Sequence, residues 1–183
     1  MRELREVAIA FAAGVILASI FFILVPPAQR AFCVNSSAIT PVFSPNADEQ
    51  LLSFVSSAKQ TLDVELYQFS YPPLKSALQD AAARGVRVRL ILEPRIDANL
   101  ETGAYLAAHG VSVRWATLSY ANTHSKCAVA DNRRVLVGSI NWSRHALTLN
   151  REAAVIIDDA GVAQAFEEVF ADDWASGTEA VPA

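Results

Sequence analysis

The residues with the clearest capacity for chemistry lie between positions 123 and 143. His124 and Lys126 are followed by Asp131, and then by a second group of small or polar residues. The members of that second group are Gly138, Ser139 and Asn141. An imidazole can attack phosphorus, while an ammonium and neutral hydrogen-bond donors can stabilise the oxyanions that develop. The set is suited to the cleavage of a phosphodiester, a chemistry that requires no metal ion.

The elements around these residues would bring the two groups together. Residues 124–130 alternate as a β-strand does, so His124 and Lys126 point to the same face. Residues 131–134 predict a tight turn, and residues 135–137 predict a returning strand. The hairpin would therefore return the second polar group to the first.

The spacing of these residues resembles the HKD signature of the phospholipase D superfamily at every position. It reads H-x-K, four residues, D, six residues, G-S, one residue, N. The region before it, with Tyr67-x-Phe69 and Arg84-Gly85-Val86, also resembles small members that have a single motif. The similarity extends over roughly residues 46–174 and is shared with bacterial nonspecific endonucleases and mitochondrial cardiolipin hydrolases. The cysteine-rich insertion of the latter group is absent from this sequence.

The resemblance implies a fold and a mechanism. The fold is α/β, a mixed sheet flanked by helices on both faces, as the alternation of strands and helices also predicts. In the mechanism one histidine attacks phosphorus, a second histidine protonates the leaving oxygen, and water then releases the product. Because the chain has one motif, two copies would meet across a twofold axis as a homodimer. No cofactor is expected.

The resemblance also implies roles for individual residues. His124 would be the nucleophile, and Glu152 matches the carboxylate that holds this histidine. A carboxylate that accepts a proton from one ring nitrogen fixes the tautomer and frees the other nitrogen for attack. The residues expected to hold the non-bridging phosphate oxygens are Lys126, Ser139 and Asn141. Asp131 and Gly138 would be structural. The alternative for Glu152 is a surface charge at the start of a strand.

The histidines and cysteines predict no metal site. His109, His124 and His145 have no paired cysteines near them, so a zinc site is not indicated. His109 is expected at the end of a helix. Cys127 is expected to face the core, whereas Cys33 could form a disulfide with a neighbouring chain in an oxidising compartment.

The N-terminal segment predicts a membrane anchor. Residues 7–25 are free of charge and long enough, as a helix, to cross the roughly 30 Å of a bilayer core. Arg2 and Arg5 precede the segment and only Arg30 follows it closely, which predicts a cytoplasmic N-terminus and an extracytoplasmic domain. A cleaved signal peptide, giving a secreted or periplasmic protein, is the alternative, although no small-x-small cleavage site follows.

Charge and composition constrain the substrate only weakly. Without residues 1–30 the chain keeps 12 basic and 17 acidic residues, a net charge of −5, which counts against tight binding of duplex nucleic acid. Several arginines could still line a local cleft: Arg84, Arg87, Arg89, Arg133, Arg134, Arg144 and Arg151. A phospholipid and a nucleic acid therefore both remain possible substrates. An inactive, membrane-anchored binding module of the same fold is the alternative function.

Composition and periodicity divide the chain into four parts. Residues 1–30 are the anchor or signal segment, residues 31–45 a tether, residues 46–176 the catalytic domain, and residues 177–183 a disordered tail. A capping box of Asn46 and Glu49 predicts the first helix, which would run to about Lys59. The other predicted helices cover residues 72–84, 98–108 and 160–174. The other predicted strands cover residues 62–69, 86–92, 111–115 and 153–157.

Overall fold

The part of the chain that the computed structural model describes, residues 31–182, is built around a sheet of seven strands. In chain order the strands are β1 (Ile39–Phe43), β2 (Thr61–Leu66), β3 (Arg87–Leu92), β4 (Ser112–Trp115), β5 (Lys126–Ala130), β6 (Arg134–Gly138) and β7 (Ala153–Asp158). Their order in space is β1-β7-β6-β5-β2-β3-β4. The pairs β2–β3 and β3–β4 are parallel and the others antiparallel, so the sheet is mixed, as predicted.

Helices cover both faces of this sheet. In chain order they are α1 (Asp48–Ser57), α2 (Pro72–Ala83), α3 (Asp97–Ala108), α4 (Arg144–Thr148) and α5 (Ala160–Ser176), with a short 3-10 helix at Ser36–Ala38. The main core joins the first four helices to one face, where Leu62, Val64 and Leu66 of β2 are fully buried. Helix α5 packs on the other face, with Val162 and Ala163 against residues of β5 and β6. The predicted α/β fold with helices on both faces is therefore confirmed.

The hairpin of β5 and β6 lies at the centre of the sheet and turns through two left-handed residues. Asp131 and Asn132 have φ angles of 55° and 50°. Aspartate and asparagine tolerate this conformation better than most residues, and the turn closed by the N–H of Arg133 donating to the carbonyl of Ala130, at 3.1 Å, requires it at both central positions. Strand β5 pairs with β2 so that Lys126 lies opposite Leu66. The start of the HKD motif therefore meets the end of β2.

The side chain of Asp131 joins this turn to the segment between α1 and β2. Its carboxylate accepts hydrogen bonds from the backbone N–H groups of Lys59, Gln60 and Thr61 at 2.7 to 3.1 Å. Burial alone would raise the pKa of Asp131, but these hydrogen bonds outweigh it and hold the pKa below its ordinary value. This geometry is consistent with a structural role for Asp131.

We expect Asp131→Asn to destabilise the fold by about 1–2 kcal/mol near neutral pH, because bonds to a charged acceptor are lost while the left-handed backbone is retained. The pKa of Asp131 is lower in the folded state than in the unfolded state, where it is near 3.9. The ionised carboxylate therefore stabilises the fold above the unfolded-state pKa, and this stabilisation is lost as the pH falls through the folded-state pKa. The difference between wild type and variant should therefore shrink below about pH 4. Denaturant unfolding across pH measures it. The control Asp80→Asn, on the exposed face of α2, should change stability little. An equal, pH-independent loss in both variants would contradict the interpretation.

The predicted tether is wrong for residues 39–43. They form β1, an edge strand that pairs with β7 from Ile39–Ile157 to Phe43–Ala153. Only Val42 of this strand is buried, so the sequence lacks the alternation that identifies a strand. Pro41 can be accommodated because an edge strand need not donate from every N–H group.

Two further local predictions are also wrong. Asn46 does not cap the first helix: it has a φ of 74°, and the helix begins at Asp48 after Ala47, which makes no side-chain cap. The tail is not disordered at its start, because Thr178 exchanges two backbone hydrogen bonds with Trp115 of the edge strand β4, at 2.7 and 2.9 Å. The free edge of β4 provides the donor and acceptor that order this residue.

The predicted anchor, residues 7–25, lies outside the described residues. Among residues 31–182, no helix has the length and apolar character needed to span a bilayer.

Candidate active site

His124 and Lys126 are in contact at the start of β5. The ammonium Nζ of Lys126 lies 3.1 Å from Nδ1 of His124 and donates to the His124 carbonyl at 2.7 Å. The ring of Tyr67 lies against both residues. Its centroid is 4.2 Å from that of the imidazole and 4.8 Å from Nζ of Lys126. Aromatic and cation–π contacts of this kind each contribute about 0.5–1 kcal/mol, so Tyr67 restrains the pair.

Lys126 is almost entirely buried, whereas His124 is exposed. Only 8% of Lys126 is accessible, and its ammonium lies beside the exposed imidazole. Burial lowers the pKa of Lys126, and the negative charge of Glu152 opposes that shift. A partly desolvated ammonium interacts more strongly with an anion than one in bulk water does. This position suits the binding of a phosphate oxygen.

The loop that precedes His124 is fixed by a fully buried carboxylate. Glu93 accepts the backbone N–H of Thr123 at 2.7 Å and binds the guanidinium of Arg95 at 2.8 Å. Arg95 in turn donates to the carbonyl of Tyr120 at 3.0 Å. The backbone entering the motif is therefore held from two sides, which sets the position of the imidazole.

A second polar group gathers around Glu152, at the start of β7. Ser139 donates to one carboxylate oxygen at 2.5 Å, and Asn150 donates to the other at 3.2 Å. The backbone N–H of Glu152 donates to the buried hydroxyl of Ser44 at 2.8 Å, and that hydroxyl donates to the carbonyl of Asn150. The carboxylate is thus fixed at the rim of the site.

Glycine at position 138 allows β6 and β7 to approach closely. A Cβ atom there would lie 2.4 Å from the carbonyl oxygen of Ala153 and 2.4 Å from Cα of Ala154. Ser139 then donates its N–H to the same carbonyl at 2.8 Å. The close approach places the Ser139 hydroxyl on Glu152, which is consistent with a structural role for Gly138.

Asn141 follows on the loop after β6. Its Oδ1 atom is buried and has no hydrogen-bond partner among the described residues. An unsatisfied buried acceptor costs about 1–3 kcal/mol, and this oxygen is free to accept a hydrogen bond.

The structure therefore brings the predicted residues together as two groups, His124 with Lys126 and Ser139 with Glu152. Glu152 is close enough for its charge to oppose the fall that burial causes in the pKa of Lys126. The predicted contact between Glu152 and His124 is not present within one chain: among the described residues the Glu152 side chain binds Ser139 and Asn150 instead.

The comparison with protein families agrees with this geometry. Residues 51–174 match the family model described as "Cardiolipin synthase, PLD-like domain", which covers more than half of the chain. The chain belongs to the phospholipase D superfamily. Its single HKD motif is the hairpin of β5 and β6.

Individual relatives support the assignment. The chain is 35% identical over 132 residues to a mitochondrial cardiolipin hydrolase of Xenopus tropicalis and 34% identical over 130 residues to the human one. Each match covers 70% of this chain, but only 61% and 51% of those two relatives. Among solved structures, Nuc of Salmonella typhimurium, a phospholipase D family member, superposes with a TM-score of 0.72 at 31% identity. That match covers 76% of this chain and 95% of Nuc.

Sequence reasoning missed two residues that shape this phospholipase D site, Tyr67 and Glu93. Each lies immediately after a strand, at an edge where the ends of neighbouring strands meet. Tyr67 enters the sequence analysis only through the resemblance, and the predicted strand over residues 62–69 does not place it at a strand end. Glu93 follows β3 and reaches Thr123 across 30 residues, which periodicity does not indicate.

The remaining histidine and cysteine predictions concern residues at the edge of the site or away from it. His109 lies at the end of α3, where Nδ1 contacts the carbonyl of Tyr105. Both cysteines are free thiols, Cys33 being exposed. Burial raises the pKa of Cys127 to about 12, with a smaller contribution from Glu65, so this thiol is unreactive. Among residues 31–182, no group of three or more His, Cys, Asp or Glu side chains is placed to hold a metal ion.

Proposed function

We propose that this chain is a phosphodiesterase that cleaves its substrate through a covalent phosphohistidine at His124. The observation that carries the proposal is the contact between the exposed imidazole and the buried ammonium of Lys126, at the start of the HKD hairpin. One imidazole nitrogen forms a bond to phosphorus as the bond to the leaving oxygen breaks. The leaving oxygen takes a proton from a second histidine, and water then hydrolyses the phosphorus–nitrogen bond.

Three side chains would hold the non-bridging oxygens of the phosphate. Lys126 supplies a positive charge, and Ser139 and Asn141 supply neutral donors. In the isolated chain Ser139 donates to Glu152, so it would have to exchange this partner for the phosphate.

The contacts of His124 and Glu152 support a site shared between two copies. With an ammonium donating to Nδ1, a neutral imidazole has its proton on Nε2. For Nε2 to attack, the proton must instead lie on Nδ1, which requires an acceptor such as a carboxylate. Glu152 does not contact His124 of its own chain, so we infer that the carboxylate comes from the second copy of a homodimer. The same arrangement would supply the second histidine.

Mixing wild-type and His124→Ala chains tests the shared site. After exchange at equal amounts, about one quarter of the dimers have both histidines, so activity per wild-type chain should fall to about half. The measurement is the total turnover of each mixture, which should depend on the square of the wild-type fraction. The substrate must have a poor leaving group, because a nitrophenolate would depart without the acid histidine.

The control mixes wild type with a variant that keeps His124, so that the wild-type chain is diluted without losing the nucleophile. His109→Ala changes an exposed histidine at the end of α3, and mixtures containing it should stay fully additive. A linear dependence on the wild-type fraction in the His124→Ala mixtures would mean that each copy works with one histidine.

The proposed reaction uses no metal ion, because the imidazole is the nucleophile and Lys126 stabilises the charge. Turnover should therefore be unchanged after treatment with EDTA. The measurement compares rates before chelation, after chelation and after addition of Mg²⁺ or Zn²⁺. Loss of turnover with EDTA, restored by one of these ions, would overturn the phosphohistidine mechanism.

The substrate is a phospholipid or a nucleic acid, since both present a phosphodiester to this site. The relatives named as cardiolipin hydrolases support the lipid, and the expected anchor at residues 7–25 agrees with it. Nuc is named only as a phospholipase D family member, so its similarity does not favour either substrate. Assays of the full chain on single-stranded DNA, RNA and cardiolipin vesicles decide between them. Binding without turnover of any of the three would instead favour an inactive binding module.

We propose that the domain is held at an extracytoplasmic membrane surface by residues 7–25. The basic residues before this segment support that orientation. Protease accessibility of the domain in intact cells tests it, and protection of the domain from added protease would contradict it.

A further inference from the structure

Helix α3 buries two polar side chains near its N-terminal end. Asn99 is fully buried and Thr102 is 1% exposed. The two residues are three positions apart, so they lie on the same face of the helix. Burying a polar side chain is costly unless its hydrogen bonds are made, and the reaction described above gives neither residue a role. The groups that these side chains bind therefore indicate what they do.

The side chain of Asn99 joins the chain segments that follow β2 and β3. Its amide nitrogen donates to the carbonyls of Tyr67 and Glu93, each at 2.9 Å. Its oxygen accepts a hydrogen bond from the backbone N–H of Phe69 at 2.8 Å. An asparagine amide has two protons to donate, and both are used here. One side chain therefore fixes two strand ends relative to each other.

Both of these segments reach the first half of the HKD motif. After β2, the backbone N–H of Tyr67 donates to the carbonyl of Ser125 at 2.8 Å, and its ring packs on the imidazole of His124. After β3, the carboxylate of Glu93 accepts a hydrogen bond from the backbone N–H of Thr123. The buried amide thus holds both of the residues that position the imidazole.

Thr102 connects the same helix to the second half of the motif. Its hydroxyl oxygen lies 2.7 Å from the carbonyl of Phe69 and 3.0 Å from that of Ala98, and we take the shorter contact as the hydrogen bond. Phe69 pairs with Trp142 as a parallel bridge, and the two rings meet edge to face with centroids 5.2 Å apart. Trp142 directly follows Asn141, so this connection ends beside a residue expected to hold the phosphate.

We propose that Asn99 and Thr102 are positioning residues that set the distance between the two halves of the HKD site. The inference rests on the proposed phosphodiesterase function. The imidazole of His124 must align with the bond that breaks while Asn141 holds an oxygen of the same phosphate. A displacement of about 1 Å between reacting groups can cost on the order of 10²-fold in rate. The two residues act on the reaction through the segment 67–69 and Glu93, without touching the substrate.

The kinetic test replaces Asn99 with alanine in the full chain. We expect kcat per folded chain to fall about 10²-fold, because alignment of the imidazole is lost. KM should change less, because Lys126 can still bind the phosphate. The substrate is whichever of single-stranded DNA, RNA and cardiolipin vesicles the wild-type chain cleaves. Lost stability alone would reduce the folded fraction and leave both constants of the folded chain unchanged.

Nuclear magnetic resonance of the histidine rings measures the position of the imidazole directly. The ring of Tyr67 shifts the signals of His124, so these signals should move in Asn99→Ala. The signals of His109 should stay in place, because its ring packs on Tyr105 within α3 itself. They also show whether the helix is intact in the variant.

Thr102→Val tests the connection to the second half with less risk to the fold, since valine has nearly the same shape and only the hydroxyl is lost. It should move the indole N–H signal of Trp142 and lower kcat by a smaller factor than Asn99→Ala. If Asn99→Ala does not fold, this variant decides. Wild-type kcat in every variant that folds, whatever the ring signals show, would overturn the proposal.

Leu106→Ala is the matched control for lost stability. Leu106 is a fully buried core residue of the same helix, and its truncation leaves a cavity without removing a hydrogen bond to the segment 67–69. The folded variant should keep the wild-type kcat and the ring signals of His124 and Trp142. A fall in kcat equal to that of Asn99→Ala would mean that general loosening of α3 lowers the rate, and would overturn the proposal.

The ring signals separate failure of this inference from failure of the proposed function. If the wild-type chain cleaves none of the three substrates, the phosphodiesterase proposal fails, while movement of the His124 signals in Asn99→Ala would still show that α3 positions the imidazole. If the wild-type chain is active and the folded variants keep its kcat, the positioning inference alone fails.

Discussion

Replacing His124 with alanine is expected to reduce phosphodiester cleavage by on the order of 10⁴-fold or more. The imidazole is the only candidate nucleophile in contact with Lys126 among the described residues, and its removal leaves an ammonium without a partner that can bond to phosphorus. The steady-state rate on a substrate with a poor leaving group measures the loss. Mass spectrometry of rapidly quenched wild-type enzyme should find the phosphoryl group, still esterified to the part of the substrate that does not leave, on the peptide that contains His124.

The fold should survive this substitution, because His124 is exposed and its main packing partner is the ring of Tyr67. A thermal melt close to that of wild type would show that the lost rate is chemical. The control His109→Ala, whose imidazole packs on Tyr105 at the end of α3, should retain full activity. Wild-type turnover in His124→Ala would sink the assignment of the nucleophile.

The HKD hairpin could be predicted because its sequence alternates with the two-residue period of a β-strand. Alternation along β5 places Ala128 and Ala130 in the main core and Cys127 and Val129 towards α5. The turn at Asp131 then follows from a polar tetrad between two apolar runs. The return of Ser139 towards the site is a geometric consequence of the hairpin, so no long-range information was needed.

The elements that could not be predicted are those whose stability comes from distant partners. Strand β1 has one buried residue, Val42, and exists because β7 offers a free edge. Thr178 is ordered by Trp115, 63 positions earlier in the chain. Local sequence contains neither partner, so composition indicated a tether and a disordered tail instead.

Dependence on distant partners also explains why the site was predicted only in part. The resemblance implied a carboxylate for the histidine, and Glu152 is indeed at the rim, but its partners within the chain are Ser139 and Asn150. In the proposed homodimer, the histidine that this carboxylate reaches would be set by the arrangement of two chains, which one sequence does not contain. Glu93 and Tyr67 act through contacts between strand ends, which only the sheet order reveals.

Gly138→Ala is expected to destabilise the fold by about 3 kcal/mol and to reduce activity in the fraction that still folds, because a Cβ atom would meet backbone rather than a flexible side chain. The contacts, at 2.4 Å, are with the carbonyl oxygen of Ala153 and Cα of Ala154. Relief requires β6 and β7 to separate, which lengthens the hydrogen bond from Ser139 to Ala153 and moves the Ser139 hydroxyl from Glu152. Denaturant unfolding and turnover per folded chain measure the two effects.

Two further variants isolate the cause. Gly85→Ala places a Cβ in open space at a φ of +87°, so it should cost only the strain of a left-handed residue, about 1 kcal/mol, and leave turnover unchanged. Adding Ala154→Gly to Gly138→Ala removes the contact at 2.5 Å with the Ala154 side chain but leaves both backbone contacts. Rescue should therefore be slight. Full rescue by Ala154→Gly, or wild-type stability and turnover in Gly138→Ala, would show that the close approach of β6 and β7 does not position Ser139 and Glu152.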